Sequence, residues 1–599
     1  MKINFRDYFT YLFLFVFILH QFIFLDFIPN DRNSLGHDYA FFLPNFIFGK
    51  IWFQNNLLNI PWYTPSFCSG IPFYSDPQTM YYSIQQIFFI IFEPITALRI
   101  TFFYFSILGY LGMFFLLRTS FKCSKISSLL GATLFIFNSF FIYRFIIGHL
   151  TYASFILVPL AGFLLCYTCN VKNTYLKILN LSVASLLFAS FFQSGSGALI
   201  ILLVTSIFFI VLVYYFLEKQ YSIFKFFLLV VLLGSCISFS KITSTLFYLQ
   251  QFPRVMEPII FENTYDFLKV AFNSLFLYPD LNGFVSTAIN KESYRIDVHE
   301  IEYGLSIVPL IVFLIFLFKI KTFKEILFKK YIFFIIILTI FVPIIFNVEI
   351  LNSQEFLKKI PIIKSTWVKI RWIGFYIIPI IFFSVFVIEK VFSERIKHII
   401  IIFFISLLCF QTLYYDKSYY HDEDYSPKNM INFHNKINNG ERIAILGSGV
   451  VTKKNKQRIS SPNDTFSLNL SSLGCYQPIF NYDLANFPKK NIILNKKRDL
   501  GKDFNLYSGD LIIKDNEENF NFFNPTCFIF PNENNCKIGH LFSKNNEENF
   551  KNFINYKKFD FKSNTFQKIS NFISIFSLIT VTFLLLISLF FIFKNRLKK

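Results

Sequence analysis

The chain has 599 residues, 54% of them hydrophobic and 21% aromatic, and only 16% Asp, Glu, Lys or Arg. Soluble domains carry about 25% charged residues, so this composition excludes an ordinary soluble protein and predicts an α-helical polytopic membrane protein. Lys and Arg outnumber Asp and Glu by 57 to 37, a formal charge of +20, yet the excess sits largely in short loops between apolar spans and in one polar C-terminal segment. Membrane orientation accounts for it, and no nucleic-acid partner is required.

After Lys2 and Arg6 an apolar run extends from about Tyr8 to Ile28. It is too long for a signal-peptide core and lacks a small-residue cleavage site, so it reads as a retained first span. With about 20 apolar residues needed to cross a bilayer, further spans fall near 97–117, 128–147, 152–169, 178–192, 198–217, 226–243, 304–318, 331–347, 373–390, 398–415 and 569–593, twelve in all. Putting the N-terminus inside collects Arg118, Lys122 and Lys125, then Lys172 and Lys177, then Lys219 and Lys225, and finally the tail Lys594 to Lys599 on the inner face. This positive-inside pattern places 36–86, 244–303, 349–371 and 416–567 outside. The segment SIQQIFFIIFEP is too short to span and reads as a half-inserted helix returning from the first loop.

That first loop, within 29–96, carries the densest chemistry. Asp38 and Asp76 stand among aromatics and five prolines, Pro44, Pro61, Pro65, Pro72 and Pro77. Carboxylates at a membrane boundary lose hydration, so they are either paired or used. Tyr39 to Gln54 suits a helix lying in the interface. Asp38 either caps that helix or serves function; Pro44 fits a first helical turn, which would start the helix near Leu43 and put Asp38 too far away to cap it. Trp62, Tyr63, Phe73 and Tyr74 either stack on a sugar ring or anchor the loop at the interface.

The succession HDYAFFLP, IPWYTPSFCSGIPFYSDPQ, GYLGMFFLLR and FNSFFIYRFIIGHLTYASFILVPLAG resembles the bacterial YfhO-type membrane proteins of the GT-C superfamily of polyprenyl-phosphate-dependent glycosyltransferases. The resemblance covers roughly residues 1–400 as architecture, with motif agreement confined to the first 165. It implies a GT-C-like fold in a bacterial inner membrane, a polyprenyl-phosphate-linked sugar as donor, and an envelope glycan, lipid or protein as acceptor. It further implies Asp38 as catalytic base, Asp76 as a second acidic position and His149 at the matching outer turn. Tyr39, beside Asp38, joins Trp62, Tyr63 and Tyr74 as a candidate acceptor or sugar contact.

Such a transfer needs a base for the acceptor hydroxyl and cations for the departing phosphate. Lys358, Lys359, Lys364, Lys369 and Arg371 break the positive-inside pattern on the outer side just before a span, and Arg371 has the fork that suits phosphate. Lys241, at the outer end of the seventh span, either serves as another cation or snorkels. The run YRIDVHEIEYG brings Asp297, His299, Glu300 and Glu302 together. These residues either bind a divalent metal with Asp38 or pair locally with Arg295 and Lys291, since their spacing fits no metal-ligand template.

The remaining division is a transmembrane unit over 1–415, an outer segment over 416–567, and a last helix with a basic inner tail over 568–599. RIAILGSGVV, NIILN, DLIIKD and TCFIF read as short strands of a small mixed or β-rich domain. GSG at 447–449 lacks the GxGxxG pattern of a nucleotide loop. Cys527 and Cys536 flank a polar turn on the oxidising side and are expected to form a disulfide; Cys68 and Cys475 lie outside too, and whether they are free stays open. Two other functional classes stay open: a transporter or lipid flippase, against which stands the lack of an internal repeat, and a non-catalytic assembly factor with the same fold.

Overall fold

The computed structural model describes residues 8–25, 34–252, 260–277, 298–319, 330–350, 353–360, 363, 369–415, 425–449, 460–472, 475–477, 492–494, 511–513 and 519–597. Lys291, Arg295, Asp297 and Lys364 lie outside the described residues.

Apolar runs become helices where capping residues bound them. Ser124 accepts from the Ser127 amide, Asn173 from Tyr175 and Leu176, and Pro94 opens a helix just after Glu93, the position where a missing N–H costs nothing. Among the described residues eight helices are long and apolar enough to cross a membrane: Pro94–Ser120, Lys125–Ile147, Leu150–Asn170, Thr174–Gln193, Ile200–Glu218, Lys369–Val391, Glu394–Tyr414 and Thr565–Leu597. The pair Ser222–Ile237 and Phe239–Gln251, bent by 68° at Ser238, raises the count to nine if it is one span. The chain is therefore a multi-pass membrane protein. These are nine of the twelve expected spans, counted among the described residues. Tyr8–Ile23 has 16 residues and Val308–Phe318 only 11, the latter because Pro309 fixes its start while 302–306 stay non-helical. Lys330–Asn347 forms a helix of 18 residues. SIQQIFFIIFEP gives an eight-residue helix, Ile84–Ile91, capped by Ser83.

The helix of the first loop runs Tyr39–Asn56, and thirteen of its eighteen residues are buried. It does not lie on the interface, because the outer segment covers it. Lys50 donates to His434 Nε2 at 2.8 Å, and Phe48 packs against Tyr556. Pro44 sits inside this helix. The Ala40 carbonyl that Pro44 leaves without its helical donor accepts instead from Ser461 Oγ at 3.5 Å.

The described parts of 416–567 hold the helices Lys428–Asn438, Thr526–Ile529 and Glu547–Ile554 and several short strands. Gly447–Gly449 pairs in parallel with Leu470–Ser472, and Ile492–Leu494 and Asn519–Phe523 pair antiparallel with Leu511–Ile513 and Leu541–Ser543. The helix Lys428–Asn438 and the pair Asn519–Phe523 and Leu541–Ser543 share one hydrophobic core with the first loop. Leu35 and Tyr425 exchange backbone bonds, Phe67 bridges to Ser472, and the Phe523 amide donates to the Ser69 carbonyl at 2.9 Å. Cys527 is bonded to Cys536. Cys68 and Cys475, left open by the sequence, are bonded to each other across 407 residues; only the packing of the outer segment on the first loop brings them together.

Candidate functional site

Two glycines set the site. Gly148 ends the span Lys125–Ile147 in the left-handed region at φ 104°, and a Cβ there would meet the Tyr39 amide at 2.6 Å. A Cβ on Gly36 would meet the Ile147 carbonyl at 2.2 Å. Both positions must be small, and the outer turn therefore lies directly on the start of the loop helix. There the Asp38 amide donates to the Ile147 carbonyl at 3.2 Å.

Asp38 occupies the N-cap position of the loop helix but makes no side-chain cap bond. Its carboxylate turns instead to His149, whose Nε2 lies 2.5 Å from Oδ2, and to Tyr476, whose hydroxyl donates to Oδ1 at 2.9 Å. His37 Nε2 stands 3.7 Å from Oδ1. Burial alone would raise the Asp38 carboxyl, but His149, His37 and the Tyr476 hydroxyl outweigh it and hold the group below the ordinary carboxylate range. Burial pushes His149 below its usual value against the pull of Asp38. Asp38 is thus an ionised acceptor beside a neutral imidazole.

Behind this pair lies a buried ion cluster. Arg144, fully buried, donates from Nη2 to Glu300 Oε2 at 2.8 Å and from Nη1 to His149 Nδ1 at 3.2 Å. Arg371 donates from Nε to Glu300 Oε2 at 2.9 Å and from Nη2 to Oε1. Both guanidiniums lie over the Tyr152 ring, at 4.4 and 5.5 Å. Burial opposes ionisation of Glu300, but the two arginines override it and keep its carboxyl well below the usual range. Buried charges persist only when paired in this way.

Asp76 is fully buried, accepting from the Gln78 amide at 2.7 Å and from Gln477 Nε2. Lys241, three residues past the bend at Ser238, is buried and donates to the Tyr74 and Asp76 carbonyls at 2.6 Å each and to Thr79 Oγ1 at 2.7 Å. Its charge thus holds the backbone of the first loop. Lys369 is buried and donates to Gln354 Oε1.

The cavity at this place has a volume of about 240 Å³ and is lined by Asp38, His149, Arg371, Lys241 and Tyr476 on its polar side. Leu199, Ile200, Ile242, Leu246 and Leu249 supply an apolar wall from two helices of the membrane region. Tyr39, Trp62, Tyr63 and Tyr74 do not line it. Tyr39 donates to the Phe145 carbonyl at 2.7 Å, Tyr63 packs on Phe559 and Phe561, and Trp62 meets Tyr74, Phe530 and Phe561 edge-on. Trp62 and Tyr63 thus pack the loop against the outer segment, and Tyr39 ties it to the span that precedes the outer turn. The aromatic rings on the cavity are Phe42, Tyr152, Phe192 and Tyr476.

His149, His299 and Glu300 bring one ligand atom each to within 4.8 Å of one another. Two imidazoles and a carboxylate are a donor set that divalent zinc or manganese accepts. This cluster holds His299 and Glu300 of the expected His299, Glu300 and Glu302, together with His149. An ion here would compete with Arg144 and Arg371 for Glu300 and with Arg144 for His149 Nδ1.

Arg144, Tyr476 and Gln477 escape the sequence reading. Arg144 did carry a signal, an ionisable group inside an apolar run. Tyr476 and Gln477 reach their carboxylates across 438 and 401 residues, a distance that leaves no local pattern.

No protein-family model and no curated protein matches the chain. Two solved structures are similar to it. Both are of the Archaeoglobus fulgidus oligosaccharyltransferase. The complex with zinc and sulfate is 14% identical, with 77% of this chain and 62% of that one covered and a TM-score of 0.37. The apo form is 10% identical, with 79% and 65% covered and a TM-score of 0.38. The chain thus spans less than two thirds of the length of the proteins it matches.

Proposed function

We propose that this chain is a bacterial inner-membrane glycosyltransferase of the GT-C type, moving a sugar from a polyprenyl-phosphate donor to an envelope acceptor on the outer face. The observation that carries the reading is one cavity bounded by the ionised Asp38, by Arg371 and by an apolar wall at membrane depth. A prenyl chain suits the apolar wall, a phosphate suits a guanidinium, and an acceptor hydroxyl needs a carboxylate within reach.

In this reading the acceptor O–H points at Asp38. Its oxygen forms a bond to the anomeric carbon while the bond from that carbon to the phosphate oxygen breaks. The electron pair leaves with the phosphate, and the hydroxyl proton passes to the Asp38 carboxylate. Sugar transfer develops positive charge on the ring before the new bond completes, so the proton moves late and a weak, fully ionised base suffices. Arg371 spends Nε and Nη2 on Glu300, leaving Nη1 for the phosphate. Lys241 shapes the loop that carries Asp76. A divalent ion held by His149, His299 and Glu300 would supply Lewis-acid charge to a phosphate or acceptor oxygen. Residues 1–415 form the membrane unit, 416–567 the outer cover and 568–599 the last helix with its tail, both termini facing the cytoplasm.

The test is transfer of radiolabelled sugar from polyprenyl-phosphate donors in membranes holding equal amounts of wild-type or Asp38→Asn protein. Wild type is expected to transfer, and the variant to lose about 10²- to 10⁴-fold. Undiminished transfer by the variant removes Asp38 as base, and no transfer by wild type from any donor overturns the reading.

A further inference from the structure

Asp38 and Asp76, 38 residues apart in the first loop, both receive a hydrogen bond from one tripeptide, Cys475–Tyr476–Gln477, at the far end of the sequence. Tyr476 donates to Asp38 Oδ1 at 2.9 Å and Gln477 to Asp76 Oδ2. The tripeptide is fixed from two sides. Cys475 is bonded to Cys68 of the same loop, both fully buried. Asn463 brackets the backbone of Tyr476, accepting from its amide at 2.7 Å and donating to its carbonyl at 2.9 Å. The Tyr476 ring meets Phe41 edge-on at 6.1 Å and lines the cavity beside His149 and Arg371.

A hydroxyl needed only for packing would not have to reach a carboxylate that already has a histidine 2.5 Å away. A tyrosine has two side-chain torsions, and with its backbone held beside a disulfide and bracketed by an asparagine its hydroxyl is preorganised. A charge-assisted bond from such a donor fixes which oxygen of Asp38 remains open to the cavity.

We propose that Tyr476 is a positioning residue of the site. It is delivered by the Cys68–Cys475 disulfide and the Asn463 bracket, and it orients the Asp38 carboxylate, so that the outer segment completes the site rather than merely covering it. The role in transfer rests on the glycosyltransferase reading; the contact with Asp38 does not. The groups facing Asp38 are His37 and Tyr476, His149 from the outer turn, and Tyr152 beyond it. Loss of the Tyr476 hydroxyl leaves the two histidines in place and removes one donor.

The experiment compares full-length wild type with Tyr476→Phe, which keeps the ring and its packing. The first readout is kcat and KM of sugar transfer at one pH, the second carbodiimide labelling of Asp38 at that same pH, read by peptide mass spectrometry. The variant is expected to lower kcat more than KM changes and to raise the labelled fraction of Asp38 several-fold, because Oδ1 loses its donor. Kinetics and labelling that superimpose on wild type overturn the proposal. If wild type transfers no sugar, the glycosyltransferase reading falls by itself, and the labelling still decides whether Tyr476 governs Asp38. In a Cys68→Ser, Cys475→Ser variant that still folds, the same changes as in Tyr476→Phe are expected; wild-type labelling there removes the disulfide from the device.

Discussion

Arg144 Nη1 lies 3.2 Å from His149 Nδ1, and this contact decides where the histidine proton sits. A guanidinium only donates, so Nδ1 accepts and the proton belongs to Nε2, which faces Asp38 Oδ2 at 2.5 Å. The same guanidinium donates to Glu300, and so ties the carboxylate at the cavity to the ion cluster behind it.

Glu300→Gln leaves Arg144 and Arg371 facing a neutral amide. Breaking a buried pair by removing one partner costs about 3–5 kcal/mol, and here two cations lose their shared counter-charge. Thermal unfolding of the detergent-solubilised protein is expected to show a midpoint clearly lower than wild type. An unchanged midpoint would mean that the cluster is not buried in the working protein.

The His149, His299 and Glu300 cluster predicts divalent-metal uptake. Protein stripped with a chelator and dialysed against manganese or zinc is expected to retain about one equivalent by elemental analysis, and His299→Ala to retain a small fraction of that. Equal retention by both would place the metal elsewhere.

Asp464 is fully buried, with Tyr425 donating to Oδ1 at 2.9 Å. Burial raises its carboxyl to about 7, against the Tyr425 bond and the Ser460 and Ser461 amides, which lower it. A raised carboxyl binds its proton more tightly folded than unfolded. Its contribution is therefore retained below the unfolded value near 4 and lost as pH climbs from there to about 7. Asp464→Asn removes that dependence. The variant is expected to match wild type near pH 4 and to unfold at a higher temperature than wild type at pH 8, measured as melting midpoint against pH. Parallel curves would rule out a buried neutral carboxyl.

Much of the membrane architecture was legible in the sequence. Runs placed at 97–117, 178–192 and 198–217 appear as Pro94–Ser120, Thr174–Gln193 and Ile200–Glu218, because a bilayer demands about 20 apolar residues in succession and that demand is written locally. It was less legible where helices are short or bent, as at Val308–Phe318 and Ser238.

The sequence by itself determined that this chain crosses a membrane several times and sets carboxylates just past its first apolar run, since hydropathy and proline placement act over a few residues. Tertiary structure decided what those carboxylates meet. Asp38 finds His149 and Tyr476, Asp76 finds Gln477, Glu300 finds Arg144 and Arg371, and Cys68 finds Cys475. Each pair joins residues 71 to 438 positions apart. Hydrogen bonds and ion pairs act over a few ångströms in space and impose no period on the chain, so only the folded chain reveals them, three of them by packing the outer segment onto the first loop.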